Sequence, residues 1–217
     1  MAKGQQKTNK ESKKPKKAAA AAPAAAAERV LAVRRLVLHG NPDIGEVGVA
    51  ALLDTWLTEI KDALDRHNQA NPDQPAAPYA VNQIVHRSNK RLDRDLEICV
   101  KHEVPIWITS LGARVEVNEA AHSCGGIVLH DIINNTFARK AVEKGADGLV
   151  AVAAGAGGHA GQQSPFALVR EIREWYDGPI ALSGAIASGE SLLAARALGA
   201  DLGYAGSPFI ATDEANA

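Results

Sequence analysis

Gly148-Leu149-Val150-Ala151-Val152, then Gly155-Ala156-Gly157-Gly158-His159-Ala160-Gly161, then Pro165 to Tyr176, then Pro179-Ile180-Ala181-Leu182 form one continuous stretch whose reading decides the fold. The first five residues are a short apolar run that reads as a buried strand. Pro165 to Tyr176 reads as a helix, and Pro179 to Leu182 as a second short strand. Two buried strands joined through a helix and short loops make a βαβ unit, and such units build a parallel sheet.

The same alternation continues on both sides. Downstream come a helix over Gly189 to Leu198, ended by Gly199, and a short strand over Leu202 to Ala205. Upstream, Thr136 to Lys144 is a helix ended by Gly145, and Ile127 to His130 is a strand. Val115 to His122 is a helix, Val104 to Thr109 a strand, Arg91 to His102 an amphipathic helix, and Tyr79 to Ile84 a strand. The fold class is therefore α/β, either a TIM-type (β/α) barrel, incomplete with about six parallel βα units, or an open doubly wound sheet, since both place ligands at strand C-terminal ends. Six strands do not close an eight-stranded barrel, so two parallel edges are expected to stay open. The first βα turn has no G-x-G-x-x-G, which argues against a Rossmann domain.

Ahead of this region, Val47 to Arg66 carries Leu52, Leu53, Trp56, Leu57, Ile60 and Leu64 on one helical face. His67 to Pro78 reads as a polar loop. Gly40-Asn41-Pro42-Asp43 is a turn signal, and Val30 to Leu38 reads as helix or strand. Two regions result: a Lys/Ala-rich tail over residues 1–28, expected to be disordered, and a (β/α) barrel domain over residues 29–217.

Composition narrows the class. The chain has 217 residues, enough for one domain with a sizeable core. The first seventeen residues hold seven lysines against one acid, Glu11, followed by an alanine run broken by Pro23. Such a segment cannot bury enough apolar surface to offset its ordering entropy. With no aromatic or glycine-arginine pattern beside the lysines, it reads as a solvated tail rather than a nucleic-acid contact. No apolar run is long enough for a membrane span. Cys99 and Cys124 form no C-x-x-C pair, which points to free thiols in a reducing cytoplasm.

The residues that can carry chemistry cluster just after strand ends, where (β/α) barrels build their sites. His159 lies within a glycine-rich loop. Its neutral imidazole can take a proton from an activated carbon, which makes it the candidate base. Ser183-Gly184-Ala185 and Gly206-Ser207 follow two successive strands. Their backbone N–H groups, joined after the first of them by the N-terminus of the Gly189–Leu198 helix, can cradle a phosphate. Thr109 and Ser110 are placed in the pocket, as is His130, which reads as a pocket-lining or ring-contacting residue or else a hydrogen-bonded structural one; His86 could face the pocket too. His39, His67 and His102 read as surface residues. His122, Cys124, His130 and Asp131 match no standard zinc spacing, so no metal is expected. A Ser110, His159, Asp131 triad lacks the G-x-S-x-G elbow of a hydrolase.

Ala80-Val81-Asn82, Ile108-Thr109-Ser110-Leu111-Gly112, Val128-Leu129-His130-Asp131, Gly155 to Gly161, Ser183 to Gly189 and Gly206 to Phe209 together resemble the nitronate monooxygenase (2-nitropropane dioxygenase) family, from about Leu52 to the C-terminus. The resemblance implies an FMN-binding TIM barrel that oxidises alkyl nitronates, and in some members nitroalkanes, with molecular oxygen to a carbonyl compound and nitrite. It implies that Asn82 contacts the flavin and that Gly157 and Gly158 line its ring. Ser183, Gly184, Ala185, Gly206 and Ser207 would hold its phosphate, and His159 would be the base. The implied partners are a small nitronate or nitroalkane and oxygen, with a homo-oligomer as one assembly. The family's opening strands, one with a proline-methionine segment and the next glycine-rich, have no counterpart before Leu52, and its closing helices none after the last strand. Two alternatives stand beside this reading: an inactive, truncated barrel fragment, and another flavin oxidoreductase of the superfamily, such as an enoyl-thioester reductase.

Overall fold

The computed structural model describes residues 46–158 and 161–212, with side chains from Ala51 onward. The lysine tail, the Val30–Leu38 segment, the Gly40–Asp43 turn, His39 and His159 lie outside the described residues. Within them, helices and strands alternate: α1 (Glu46–Ala70), β1 (Ala80–Ile84), α2 (Leu92–Lys101), β2 (Ile106–Ser110), α3 (Val115–Ser123), β3 (Ile127–Ile132), α4 (Asn135–Glu143), β4 (Gly148–Val152), α5 (Pro165–Arg173), β5 (Ile180–Ser183), α6 (Gly189–Leu198), β6 (Leu202–Tyr204) and α7 (Ser207–Ile210). The strands form one six-stranded sheet in the order β1-β2-β3-β4-β5-β6. Every pairing is parallel.

Each strand lies on the same side of its predecessor, as a series of like-handed crossovers demands. The two faces of the sheet bury different residues. Val81, Trp107, Val128, Leu149, Ala151, Ile180 and Leu182 point to the helix layer and pack with Leu53, Leu57, Ala138, Leu168 and Ile172. Ala80, Ile106, Ile108, Leu129, Val150 and Ala181 point to the opposite, inner face, joined there by Val152, Leu202 and Tyr204. Strands buried on both faces explain the near-continuous apolar runs in the sequence.

Helix boundaries follow local chemistry. Asn134 caps α4, its side chain accepting from the Phe137 amide at 3.0 Å. Ser188 and Ser191 form a capping box at α6, which ends on Gly199 at φ 108°. The helix α1 runs beyond the expected Arg66 to Ala70, across the start of the expected polar loop. His67 and Gln69 are solvent-exposed, and the first residue that cannot continue a helix is Pro72. The short α7 was not anticipated. His102, read as a surface residue, is buried, with Nε2 2.7 Å from Asp54 Oδ1 on α1.

Arg173 is the main polar clamp of the C-terminal half. Its Nε donates to Gly199 O at 2.7 Å, and its Nη1 to Gly178 O at 2.6 Å and Tyr176 O at 3.1 Å. Its Nη2 reaches Asp201 Oδ2. The loops entering β5 and β6 are thus joined by one guanidinium. Arg173→Ala is expected to destabilise the fold by about 2 kcal/mol, because charge-assisted bonds to partly buried carbonyls are lost together. Arg173→Lys should recover little of this, since one compact ammonium cannot reach the carbonyls and the carboxylate that three separate guanidinium nitrogens hold together. Urea unfolding of the two variants checks the prediction.

Candidate functional site

The C-terminal ends of the strands bring the expected residues to one mouth, but the pleat sorts them onto two sides. Asn82 pairs in register with Ile108, whose side chain belongs to the inner face. Ser110 ends β2 two residues beyond Ile108, on the same side. Val152, Ser183 and Tyr204 are matched across β4, β5 and β6. Asn82, Ser110 and Ser183 therefore sit on the inner face, above an apolar floor of Ile108, Leu129 and Val150.

Thr109 and His130 do not join them. They pair in register with each other and with Gln83 along the helix-facing row. Both are almost fully buried, and Thr109 Oγ1 lies 2.6 Å from His130 Nδ1. Their expected place in the pocket is corrected: they form a buried polar pair behind the sheet. Burial drives the His130 pKa down to about 4, with the Lys144 ammonium adding to the shift. The inner-face position at this strand end belongs to Asp131, in register with Val150. Tyr204 is a second inner-face residue that the sequence reading passed over. The signal for both was the period of two, which puts Leu129 with Asp131 and Leu202 with Tyr204. His86 is exposed beyond β1, its Nδ1 2.8 Å from Ser88 Oγ.

The glycine loop is tied down at both ends. The Ala156 amide donates to Ala153 O at 3.1 Å, the Ala154 amide to Gln163 O at 2.9 Å, and the Gly161 amide to Val152 O at 3.2 Å. A Cβ on Gly161 would lie 2.5 Å from Val152 O, so only glycine fits that return. Gly157 and Gly158 are exposed, with nothing within 4 Å of a Cβ built on either. His159 falls between Gly158 and Gly161, outside the described residues, so the loop's anchors are placed and its imidazole is not.

The expected phosphate cradle is only partly free. The Ala185 amide donates to Gly155 O at 3.1 Å, which ties this loop to the β4 loop. Ala185 stands at φ 52° and Gly184 at φ 139°. A Cβ on Gly184 would meet Ala154 O at 2.9 Å, so the two loops touch through backbone. The Ala187 and Ser188 amides both donate to Ser191 Oγ, at 3.1 and 3.0 Å. These three amides are engaged within the chain and are not open to a phosphate. Gly206 and Ser207 are exposed, and the space around Gly206 is clear.

A cavity of about 230 Å³ opens beside β1, lined by Val81, Asn82, Gln83, Ile84, Asn89, Arg91 and Asp95. Asn82 Oδ1 is buried here without a hydrogen-bond partner, as are Arg91 Nη1 and Asp95 Oδ1. Arg91 Nη2 lies 3.5 Å from Asp95 Oδ2. Desolvation still raises the Asp95 carboxyl above its ordinary range, outweighing the pull of Arg91. Among the described residues no three His, Cys, Asp or Glu side chains converge as metal ligands.

Known proteins align with this architecture. FabK from Thermotoga maritima superposes with a TM-score of 0.60 at 27% identity, covering 70% of this chain and 48% of that one. Nitroalkane oxidase from Streptomyces ansochromogenes superposes with a TM-score of 0.61 at 22% identity, over 72% of this chain and 57% of that one, a likeness of fold. A Mycobacterium tuberculosis protein named as a monooxygenase is 31% identical over 60% of this chain and 36% of its own length. A hydroxy-methyl-oxo-octahydro-indene-carboxyl-CoA dehydrogenase of Rhodococcus jostii is 23% identical over 81% of this chain and 48% of its own length. The chain thus spans less than half the length of either curated relative. A family model matches residues 53–217, most of the chain and all the described strands, and the chain belongs to the nitronate monooxygenase family, a family of oxidoreductases.

Proposed function

We propose that this chain is an FMN-dependent oxidoreductase that oxidises alkyl nitronates or nitroalkanes with molecular oxygen to a carbonyl compound and nitrite. The observation that carries the reading is the inner-face mouth: an apolar floor, an orphaned buried acceptor at Asn82, and open glycine backbone at Gly157, Gly158 and Gly206. These features fit a flat heteroaromatic group with ring N–H donors. Asn82 Oδ1 would accept from the ring, Gly157 and Gly158 would let backbone approach it, and Gly206 with Ser207 would supply the phosphate donors that the Ser183–Ala185 loop has partly spent. FMN, when bound, supplies a two-electron acceptor and a route to oxygen. His159, held in a loop anchored at Val152 and Gln163, would take the α-proton of a nitroalkane. The two free thiols fit a cytoplasmic setting, and no helix among the described residues is long and apolar enough to cross a membrane.

The visible absorption spectrum of the purified protein tests the proposal. A flavin spectrum near one FMN per chain, with nitrite released from a nitronate, supports it. A colourless protein that FMN cannot reconstitute overturns it and leaves the inactive fragment. Asn82→Leu provides a finer check. Its oxygen has no partner to lose, so the apo-protein should melt at or above the unmodified temperature, while FMN affinity falls about tenfold for one lost hydrogen bond. An unchanged affinity would remove Asn82 from the flavin site.

The likeness to FabK and the carboxyl-CoA substrate named for the Rhodococcus relative favour a second reading, a reductase of enoyl-thioester type. NAD(P)H oxidation dependent on an enoyl thioester, without nitrite from a nitronate, would select it.

A further inference from the structure

The edge of β1 away from β2 has no strand beside it among the described residues. Three observations show that a neighbour belongs there. Asp95 Oδ1 and Arg91 Nη1 are buried at this edge yet unpaired. The cavity of about 230 Å³ runs along β1 from Val81 to Ile84. Finally, α1 buries Leu53 and Leu57 completely but leaves Trp56 and Ile60 only half covered, although they continue the same apolar face.

We propose that Val30-Leu31-Ala32-Val33-Arg34-Arg35-Leu36-Val37-Leu38 docks along this edge as a strand parallel to β1, an element supplied by sequence ahead of the family match, which begins at residue 53. Handedness selects the position. All five observed crossovers displace the chain in one direction, so a strand feeding α1 by the same right-handed crossover must lie at the free edge of β1. Length agrees: residues 39–45 separate the segment from α1 and reach up to about 24 Å when extended, ample for a βα connection. Composition agrees as well, with seven of nine residues apolar, as a strand buried on both faces requires.

Charge complementarity chooses this occupant over a second copy of the chain. Adjacent strand residues point to opposite faces, so in any register one of Arg34 and Arg35 faces the helix layer. Asp95 waits on that side with an unpaired carboxylate oxygen and a single, long contact to Arg91. A second guanidinium would complete it. The orphaned Asn82 oxygen, on the inner face, is left for the cofactor.

Amide hydrogen exchange of the full-length chain tests the proposal without reference to flavin. Peptides within residues 30–38 should exchange at least about tenfold more slowly than those within residues 1–27, independently of protein concentration. Neighbouring residues aim their N–H groups to opposite edges, so either Val33→Pro or Arg34→Pro must remove a ladder bond. That variant should lose protection over 30–38 and 80–84 while β3 to β5 keep theirs. Asp95→Asn should loosen 30–38 severalfold. Exchange of 30–38 at the rate of the lysine tail overturns the proposal, as does protection that survives both proline variants. Protection that grows with protein concentration overturns it too, and assigns the edge to a second copy.

Discussion

His159→Ala is expected to slow oxidation of a neutral nitroalkane by about 100- to 10,000-fold, the range for removing a positioned general base. Oxidation of the preformed nitronate should change by less than about tenfold. The two substrates differ by one proton. A nitroalkane must lose its α-hydrogen before the electron pair can leave carbon, whereas a nitronate arrives deprotonated. If His159 is the base, only the first substrate needs it. The flanking loop is held by backbone bonds at Ala153, Gln163 and Val152, which the substitution leaves in place. Flavin content should therefore stay near that of the unmodified protein. Steady-state rates on matched nitroalkane and nitronate pairs decide the matter: equal losses on both substrates would assign His159 to binding or loop structure.

Much of the fold could be read from the residues because each strand is a short apolar run and each helix has its own face and its own stop. Gly145 and Gly199 follow their helices as expected, and strand limits shift by only a residue or two, as from Ile127–His130 to Ile127–Ile132. The site was less legible, for a reason rooted in parallel sheets. A strand buried on both faces shows no polar-apolar alternation, so the residues alone do not tell which side His130 takes. Only its register with Thr109, and the placing of Leu129 in the inner cluster, turn it toward the helices and put Asp131 at the mouth. His102 was misread because its partner Asp54 is 48 residues away in the chain. The phosphate loop was overcounted because glycine and serine content reports possible donors, not spent ones. The Ala185 amide is committed to Gly155, and two others to Ser191.

The buried histidine that the pocket reading misplaced gives the protein an acid-labile point. His130 has a folded pKa near 4 against an ordinary value of 6.5, because burial disfavours the imidazolium. The unfolded chain binds the proton more readily between these values, so stability is full above about pH 6.5 and falls as pH drops toward 4. At pH 4.5 the loss from this group alone is on the order of 2 to 3 kcal/mol. Asp95 works in the opposite sense. Its carboxyl is raised by burial, so the folded state gains as pH falls through its titration. A raw acid-denaturation curve mixes the two, but comparison with His130→Leu isolates the histidine. That variant should be less stable at pH 7.5, where the Thr109 hydroxyl loses its partner, by about 1 to 3 kcal/mol. The gap should close or reverse by pH 4.5, where the unmodified protein must hold an uncharged imidazole against solvent protons. Urea unfolding of both proteins at the two pH values measures it. Parallel pH profiles would mean that His130 is charged, or hydrated, in the folded protein, and that the Thr109–His130 pair is not sealed behind the sheet.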